Sequence, residues 1–211
     1  ESFGVFCAAA EVAGGLRKVR QVFDPIFVPV AATRHASGLR GDLRDTVASP
    51  GRWVLAGQLP LVGVLVLASG AVLSIYGPGF RSGALWLAVL ALAHAANSFT
   101  GLVDALLVIE RPWLGLINAI VTVSTQLLAG LILIPLYGVI GAVLAMAAGF
   151  TLQGVLRFLE LRHTFGWAWP WRSLARPLLV FAMAFVPSAT LRFAGGQRLE
   201  IVSGVLFLLL Y

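Results

Sequence analysis

Long apolar runs separated by short polar breaks set the pattern of the chain. About 20 consecutive apolar residues are enough for a helix to cross the hydrocarbon core of a bilayer, so each run predicts a transmembrane helix. The predicted spans are approximately 3–32, 53–76, 84–109, 112–134, 138–159, 177–194 and 199–211. We therefore predict an all-α, polytopic membrane protein with six to seven transmembrane helices in a single bundle.

The first and last spans differ from the others. The first, 3–32, has a charged centre at 15–24, which predicts either one long span or two shorter pieces. The last, 199–211, reaches only about 20 Å at the rise of an α-helix and is too short to cross the membrane. Because the chain also begins without a methionine, we expect it to be a fragment of a longer protein.

The composition agrees with a membrane protein. Of the 211 residues, 59% are hydrophobic and 11% are charged, whereas a soluble domain carries roughly 25% charged residues. The net charge of +6 resides mostly in short loops, where it indicates topology and contact with membrane lipids rather than nucleic-acid binding. A single cysteine, Cys7, excludes an internal disulfide and a cysteine-based metal cluster, and we expect no cofactor and no metal.

Arginines in alternate loops predict the orientation. The loops 34–52, 110–112 and 157–176 hold nine arginines, whereas the loops on the opposite side hold three: Arg81, Arg192 and Arg198. Positive residues are retained on the cytoplasmic side of a membrane. We therefore predict that the three arginine-rich loops are cytoplasmic.

The charged centre of the first span contains Arg17, Lys18, Arg20 and Asp24. Arg20 and Asp24 have the i,i+4 spacing of a helical ion pair. One interpretation is a cationic wall of a water-filled cavity, since the guanidinium fork suits phosphate oxygens. The other is a segment at the cytoplasmic interface, with its long cationic side chains extended toward lipid phosphates.

Two neighbouring spans carry polar stripes. The third span contains His94, Asn97, Ser98, Gly101 and Asp104, and the fourth contains Asn118, Thr122, Thr125 and Gln126. The stripes line one aqueous path, or they form interhelical hydrogen bonds that only support packing. Packing is the favoured interpretation for the uncharged side chains and for His94. The candidate substrate-binding residues are Arg17, Lys18, Arg20, Asp24, Asn97, Asp104 and Asn118.

Other features indicate structure rather than chemistry. Gly141, Ala145 and Gly149 form the small-xxx-small pattern that lets helix backbones approach closely. Gln153, Arg157 and Glu160 follow on the same helix and are interpreted as interfacial anchors. Pro60 is expected to bend the second span near one end.

Enzyme motifs are missing from the sequence. No zinc-protease, nucleophile-elbow, phosphate-loop or dinucleotide motif occurs. Asp42 and Asp45 are the only carboxylate pair with the spacing for a metal-bound diphosphate, as a membrane glycosyl- or prenyl-transferase would require. Because Arg40 and Arg44 flank them, the stretch is typical of an amphipathic surface helix. We therefore predict a transporter and not an enzyme.

Four segments resemble a known family in their order and in their positions at helix ends. They are FDPIFVPVA at 23–31, YGPGFRSG at 76–83, ERPWLGLIN at 110–118 and LIPLYGVIGAVLA at 133–145. The chain is similar in these segments to the C-terminal half of bacterial polysaccharide flippases. These are the O-antigen and capsule (Wzx-type) transporters of the superfamily that also contains the MATE-like multidrug extruders.

The resemblance implies a fold and a function. The chain would be the second lobe of a MATE-like, two-lobed transporter in the bacterial inner membrane. It would move undecaprenyl-diphosphate-linked oligosaccharides to the outer leaflet by alternating access, for surface polysaccharide biosynthesis. Arg17, Lys18 and Arg20 would contact the diphosphate, and a polysaccharide polymerase and glycosyltransferases would be partners. A lipid II flippase and a multidrug/toxin extruder are the alternatives, and the positive excess at 11–24 favours an anionic substrate.

Overall fold

The computed structural model describes residues 2–36, 40–101, 104, 107, 110–166, 171–195 and 199–211. A short 3-10 helix, Pro78–Gly83, precedes α5. The α-helices are α1 (Ser2–Gly14), α2 (Leu16–Ala36), α3 (Arg40–Leu67), α4 (Ser69–Ser74), α5 (Ala84–Thr100), α6 (Pro112–Tyr137), α7 (Val139–Phe165), α8 (Trp171–Gly195) and α9 (Glu200–Leu210). These residues form no strand, which confirms the all-α class.

Within this part of the chain, four helical segments are long and apolar enough to cross a membrane. They are Pro78–Thr100, Pro112–Tyr137, Val139–Thr164 and Leu174–Ala194. Gly51–Leu67 and Glu200–Leu210 are apolar but shorter. The chain is therefore a polytopic membrane protein, as predicted.

The first predicted span consists of two helices. Gly15 separates α1 from α2, and its N–H still bonds to the carbonyl of Glu11, so the chain turns without leaving helical contact. Leu16 follows and is almost fully buried. The charged residues thus begin α2 and do not lie in the middle of one straight span.

The second predicted span also differs from expectation. The stretch 34–52, predicted as a loop, is helical up to Ala36 and again from Arg40, and α3 continues through Pro60. The interruption lies instead at Ala68, between α3 and α4. The Ser69-Gly70 pair beside it is a usual cause of a sharp kink.

Helices α3 and α5 lie at the centre of the bundle. Helix α3 packs against α2, α5, α8 and α9, and α5 packs against α1, α2 and α7. Buried leucines fill the contacts at both ends, including Leu73, Leu87 and Leu90 at one end and Leu107 and Leu161 at the other. On α9, Phe207 is fully buried against Leu67 and Ala184.

Helices α6 and α7 form a tight antiparallel hairpin. Gly138 alone joins them at φ 59° and ψ −134°, a backbone conformation that other residues adopt only under strain. The predicted turn at 135–138 is thus shorter than expected, because Pro135 is accommodated in the last turn of α6. Gly141, Ala145 and Gly149 are buried, and both glycines face α6 so closely that an added Cβ would collide with it. This confirms the predicted close packing.

We expect Gly141→Ala to destabilise the hairpin more than Gly149→Ala. A Cβ at position 141 would meet the backbone of Leu133, which cannot move aside, whereas a Cβ at 149 would meet the flexible side chain of Gln126. Overpacking of this kind costs about 1–3 kcal/mol. The melting temperature of the purified protein in detergent measures the difference. Gly4→Ala is the control, because nothing lies within 4 Å of its added Cβ. Equal melting of Gly141→Ala and Gly4→Ala would contradict the close approach.

Candidate functional site

A polar cavity of about 330 Å³ lies between α2, α5, α6 and α7. Its cationic side chains are Arg17 and Arg20 from α2 and Arg157 from α7. Its uncharged polar lining consists of Asn97, Ser98, Thr122, Gln126 and Gln153, and Phe150 is its aromatic wall. The described lining therefore combines three guanidinium groups with hydroxyl and amide groups inside a membrane-embedded bundle.

Arg157 is the most firmly held of the three cations. Its side chain is 7% exposed and forms a two-pronged ion pair with Asp104, from Nε to Oδ1 at 2.6 Å and from Nη2 to Oδ2 at 2.5 Å. Its Nη1 donates to the backbone oxygen of Asn97 at 3.0 Å and to the side-chain Oδ1 of the same residue at 2.5 Å. It also donates to Thr100 Oγ1. This geometry fixes the end of α5 against α7 and compensates the buried charge.

Arg20 joins α2 to the turn after α5. Its Nη1 donates to the carbonyl oxygen of Gly101 at 2.8 Å. Its Nη2 lies 3.8 Å from Asp24 Oδ2, which confirms the i,i+4 ion pair predicted from the sequence. Arg20 therefore has an internal counter-ion, although a more distant one than that of Arg157.

Arg17 differs from the other two cations. It is exposed, it lines the cavity, and no described residue forms an ion pair or a hydrogen bond with it. Because Asp24 and Asp104 balance Arg20 and Arg157, the positive charge of Arg17 remains uncompensated among the described groups. An anion in the cavity would meet this charge first.

The structure brings only part of the predicted set to the cavity. The cavity is lined by Arg17, Arg20 and Asn97. Its cations Arg20 and Arg157 form ion pairs with Asp24 and Asp104, respectively. Lys18 is exposed and does not line it. Asn118 is buried elsewhere on α6, and its Nδ2 donates to Glu160 Oε2 at 2.7 Å.

The two polar stripes meet at this cavity. Asn97 and Ser98 come from the stripe on α5, and Thr122 and Gln126 come from the stripe on α6. Ser98 Oγ is buried and has no partner among the described residues. His94 is also buried and packs its ring 4.6 Å from that of Phe150, but its Nε2 has no hydrogen-bond partner among the described residues.

Sequence reasoning missed Arg157 as a residue of this site. The interpretation of Arg157 as an interfacial anchor is wrong, because the residue is 6% exposed and paired with Asp104. Comparing how far each charged residue lies from the start of its helix could have found the Arg157–Asp104 pair. Helices α5 and α7 run in the same direction, and Asp104 and Arg157 lie 20 and 18 residues after the respective helix starts, Ala84 and Val139.

Comparison with known proteins adds one relative. No family model matches the chain, and no solved structure matches it. The chain is similar to a protein named Probable flippase AglR from Haloferax volcanii, with 27% identity over 196 residues. The match covers 86% of this chain and 41% of the relative, so the chain spans about two fifths of the relative's length. The relative carries the name of a flippase, and the similarity over most of this chain agrees with a multi-pass membrane protein.

Proposed function

We propose that the chain is the second lobe of a MATE-like, two-lobed flippase that moves undecaprenyl-diphosphate-linked oligosaccharides across the bacterial inner membrane. The movement would proceed by alternating access and would serve surface polysaccharide biosynthesis, as in the O-antigen pathway. The observation that carries the proposal is the polar cavity with Arg17, Arg20 and Arg157 in its wall. A polysaccharide polymerase and glycosyltransferases are the proposed partners.

The cations of the cavity support an anionic substrate. Guanidinium groups bind phosphate oxygens through paired hydrogen bonds, and an apolar surrounding strengthens that attraction. Arg17 has no ion-pair partner among the described residues, so it can bind a phosphate directly. Arg20 has a carboxylate partner 3.8 Å away that a diphosphate could replace. The uncharged groups on α5, α6 and α7 would face the sugar-bearing end of the same ligand.

The position of the cavity supports entry from the cytoplasm. It lies near the ends of α5 and α7 that lead into the predicted cytoplasmic loops 110–112 and 157–176. A lipid-linked oligosaccharide assembled on the cytoplasmic face would enter the cavity from that side. In the proposed topology the stretches 34–52, 110–112 and 157–176 face the cytoplasm.

The combined substitution of Arg17 and Arg20 by glutamine is expected to stop export of surface polysaccharide. Both cations that face the cavity from α2 would be lost, whereas Arg157 would remain bound to Asp104. Export is measured by complementation of a strain that lacks the full-length transporter, with membrane abundance and monodispersity of the variant checked in parallel. Normal export by a correctly folded double variant would sink the cavity assignment.

Two controls separate the alternatives. Arg162→Gln removes an exposed arginine of α7 that does not line the cavity, so export should persist. Alanine at both Asp42 and Asp45 should also leave export intact, whereas a glycosyl- or prenyl-transferase would lose its activity.

Two substrate assays test the alternative transporters. Efflux of cationic dyes by the wild type, with no effect on polysaccharide export, would favour a multidrug/toxin extruder. Movement of lipid II alone would favour a lipid II flippase.

A further inference from the structure

A second ionic site lies at the other end of the bundle, on the predicted outer side. Glu200, the first residue of α9, is 3% exposed and binds two arginines. Its Oε2 accepts a hydrogen bond from Arg81 Nη2 at 2.8 Å, and its Oε1 lies 3.4 Å from Arg192 Nη2. We call Arg81, Arg192 and Glu200 the outer ion cluster.

The outer ion cluster is built into the break between α3 and α4. In an uninterrupted helix the N–H of Gly70 would bond to the carbonyl of Val66. Here that N–H donates to Glu200 Oε1 at 2.7 Å, and Arg192 Nη1 donates to the carbonyls of Val66 and Leu67. The Arg192–Glu200 pair therefore replaces a missing backbone hydrogen bond, which fixes the positions of both side chains.

The outer ion cluster carries one excess positive charge. Among the described residues, Glu200 is the only carboxylate that pairs with Arg81 or Arg192. The Arg81 side chain is 40% exposed and uses only one of its nitrogens in a described hydrogen bond. A guanidinium group whose remaining N–H groups form no described bond can donate them to a phosphate. The free donors of Arg81 define where that anion would bind.

An apolar groove of about 450 Å³ leads away from Arg192. It lies between the end of α3, the first turns of α5 and the last turns of α8. Ala88, Phe185 and Ala189 form its walls, and the exposed residues Leu85 and Phe193 form its rim. Arg192 is the one charged residue in its described lining, so the groove has one cationic end and an otherwise apolar length.

We propose that the outer ion cluster and the apolar groove together bind an anionic phospholipid of the outer leaflet. Its phosphate would contact Arg81 beside Glu200 and Arg192, and one acyl chain would lie in the groove against Ala88 and Phe185. Charge complementarity selects the occupant, because a site with one excess positive charge favours a lipid whose phosphodiester charge is not neutralised by a cationic headgroup. The apolar groove selects a ligand with a hydrocarbon chain over a free phosphate.

This lipid site is separate from the polar cavity. The two share no lining residue, and they lie toward opposite ends of α5. The lipid would be a resident component that fills the surface beside the α3–α4 break. The proposal therefore stands or fails independently of the transported substrate.

Native mass spectrometry of the purified full-length protein tests the site. Palmitoyl-oleoyl phosphatidylglycerol is compared with phosphatidylcholine that has the same two chains. The wild type is expected to retain the anionic lipid about fivefold better, the effect of one basic residue on anionic-lipid binding. Arg81→Gln should bring the ratio close to one, and Arg81→Lys should restore the preference.

Two matched pairs of variants locate the site. Arg162→Gln removes an exposed arginine at the other end of the bundle and should keep the preference. Ala88→Leu fills the groove and should reduce retention of both lipids, whereas Ala148→Leu, at an exposed position of α7, should not. Equal retention of both lipids by the wild type would overturn the proposal. So would an equal loss of preference in Arg81→Gln and Arg162→Gln.

Discussion

Asp104→Leu is expected to lower the free energy of unfolding by about 3–5 kcal/mol, the cost of breaking a buried ion pair by removing one partner. The substitution leaves the Arg157 guanidinium buried with only Asn97 and Thr100 as hydrogen-bond acceptors. A guanidinium stays charged at any accessible pH, so it cannot relieve the penalty by losing a proton. We expect little folded protein in the membrane.

The reverse substitution should be milder. In Arg157→Leu the remaining Asp104 carboxyl can take up a proton and become neutral, so the uncompensated charge disappears. In the double variant Asp104→Leu/Arg157→Leu both charges are absent, and exchange of a buried pair for apolar residues is often neutral or stabilising. The expected order of stability is double variant, then Arg157→Leu, then Asp104→Leu.

Melting in detergent and monodispersity on size exclusion measure this order. Glu11→Leu, which removes an exposed carboxylate of α1, is the control and should change the melting temperature little. If Asp104→Leu were as stable as this control, the two-pronged pair would not hold α5 against α7. If the double variant were the least stable, the Asp104–Arg157 pair would stabilise the fold by more than the cost of burying its two charges.

Glu200→Gln is expected to cost about 3 kcal/mol, at the low end for a buried ion pair because Arg81 can turn toward solvent. Glutamine keeps an oxygen for the N–H of Gly70 but removes the charge that both arginines share. Glu200→Ala should cost more, since it also leaves that N–H without an acceptor in an apolar region. The local effect is separation of α9 from the α3–α4 break.

Melting temperature ranks the two Glu200 variants, and hydrogen exchange of residues 66–74 reports the break itself. Exchange should accelerate there in Glu200→Ala and remain slow in Glu11→Gln, a charge removal at an exposed position. Unchanged exchange in Glu200→Ala would contradict the role assigned to Glu200. A melting temperature equal to that of Glu11→Gln would contradict the ion cluster as a source of stability.

Local patterns in the sequence predicted local structure well. The apolar runs predicted the helical class, because a chain in lipid must satisfy its backbone hydrogen bonds within helices. The i,i+4 spacing predicted the Arg20–Asp24 pair. The four-residue repeat of small residues predicted a close approach of helix backbones, which the structure places between α7 and α6. Each of these features depends on residues within one helix or on one hairpin.

The contacts between distant helices were not predictable in the same way. Arg157 and Asp104 are 53 residues apart, and Arg81 and Glu200 are 119 apart. Their pairing depends on the rotation of each helix about its axis, which a single sequence does not determine. The Ser69-Gly70 pair is a local pattern that indicates a kink. The bend was predicted at Pro60 instead, because proline is in general the stronger helix breaker.

The break between α3 and α4 has a consequence for the order in which the protein assembles. The groups that satisfy its backbone come from Arg192 and Glu200, more than 120 residues later in the chain. The membrane interior offers no water as a substitute, and unsatisfied backbone groups there cost several kcal/mol each. Before α8 and α9 have inserted, an unbroken helix with Gly70 bonded to Val66 would satisfy these backbone groups. We therefore expect the kink to form only after the insertion of α8 and α9.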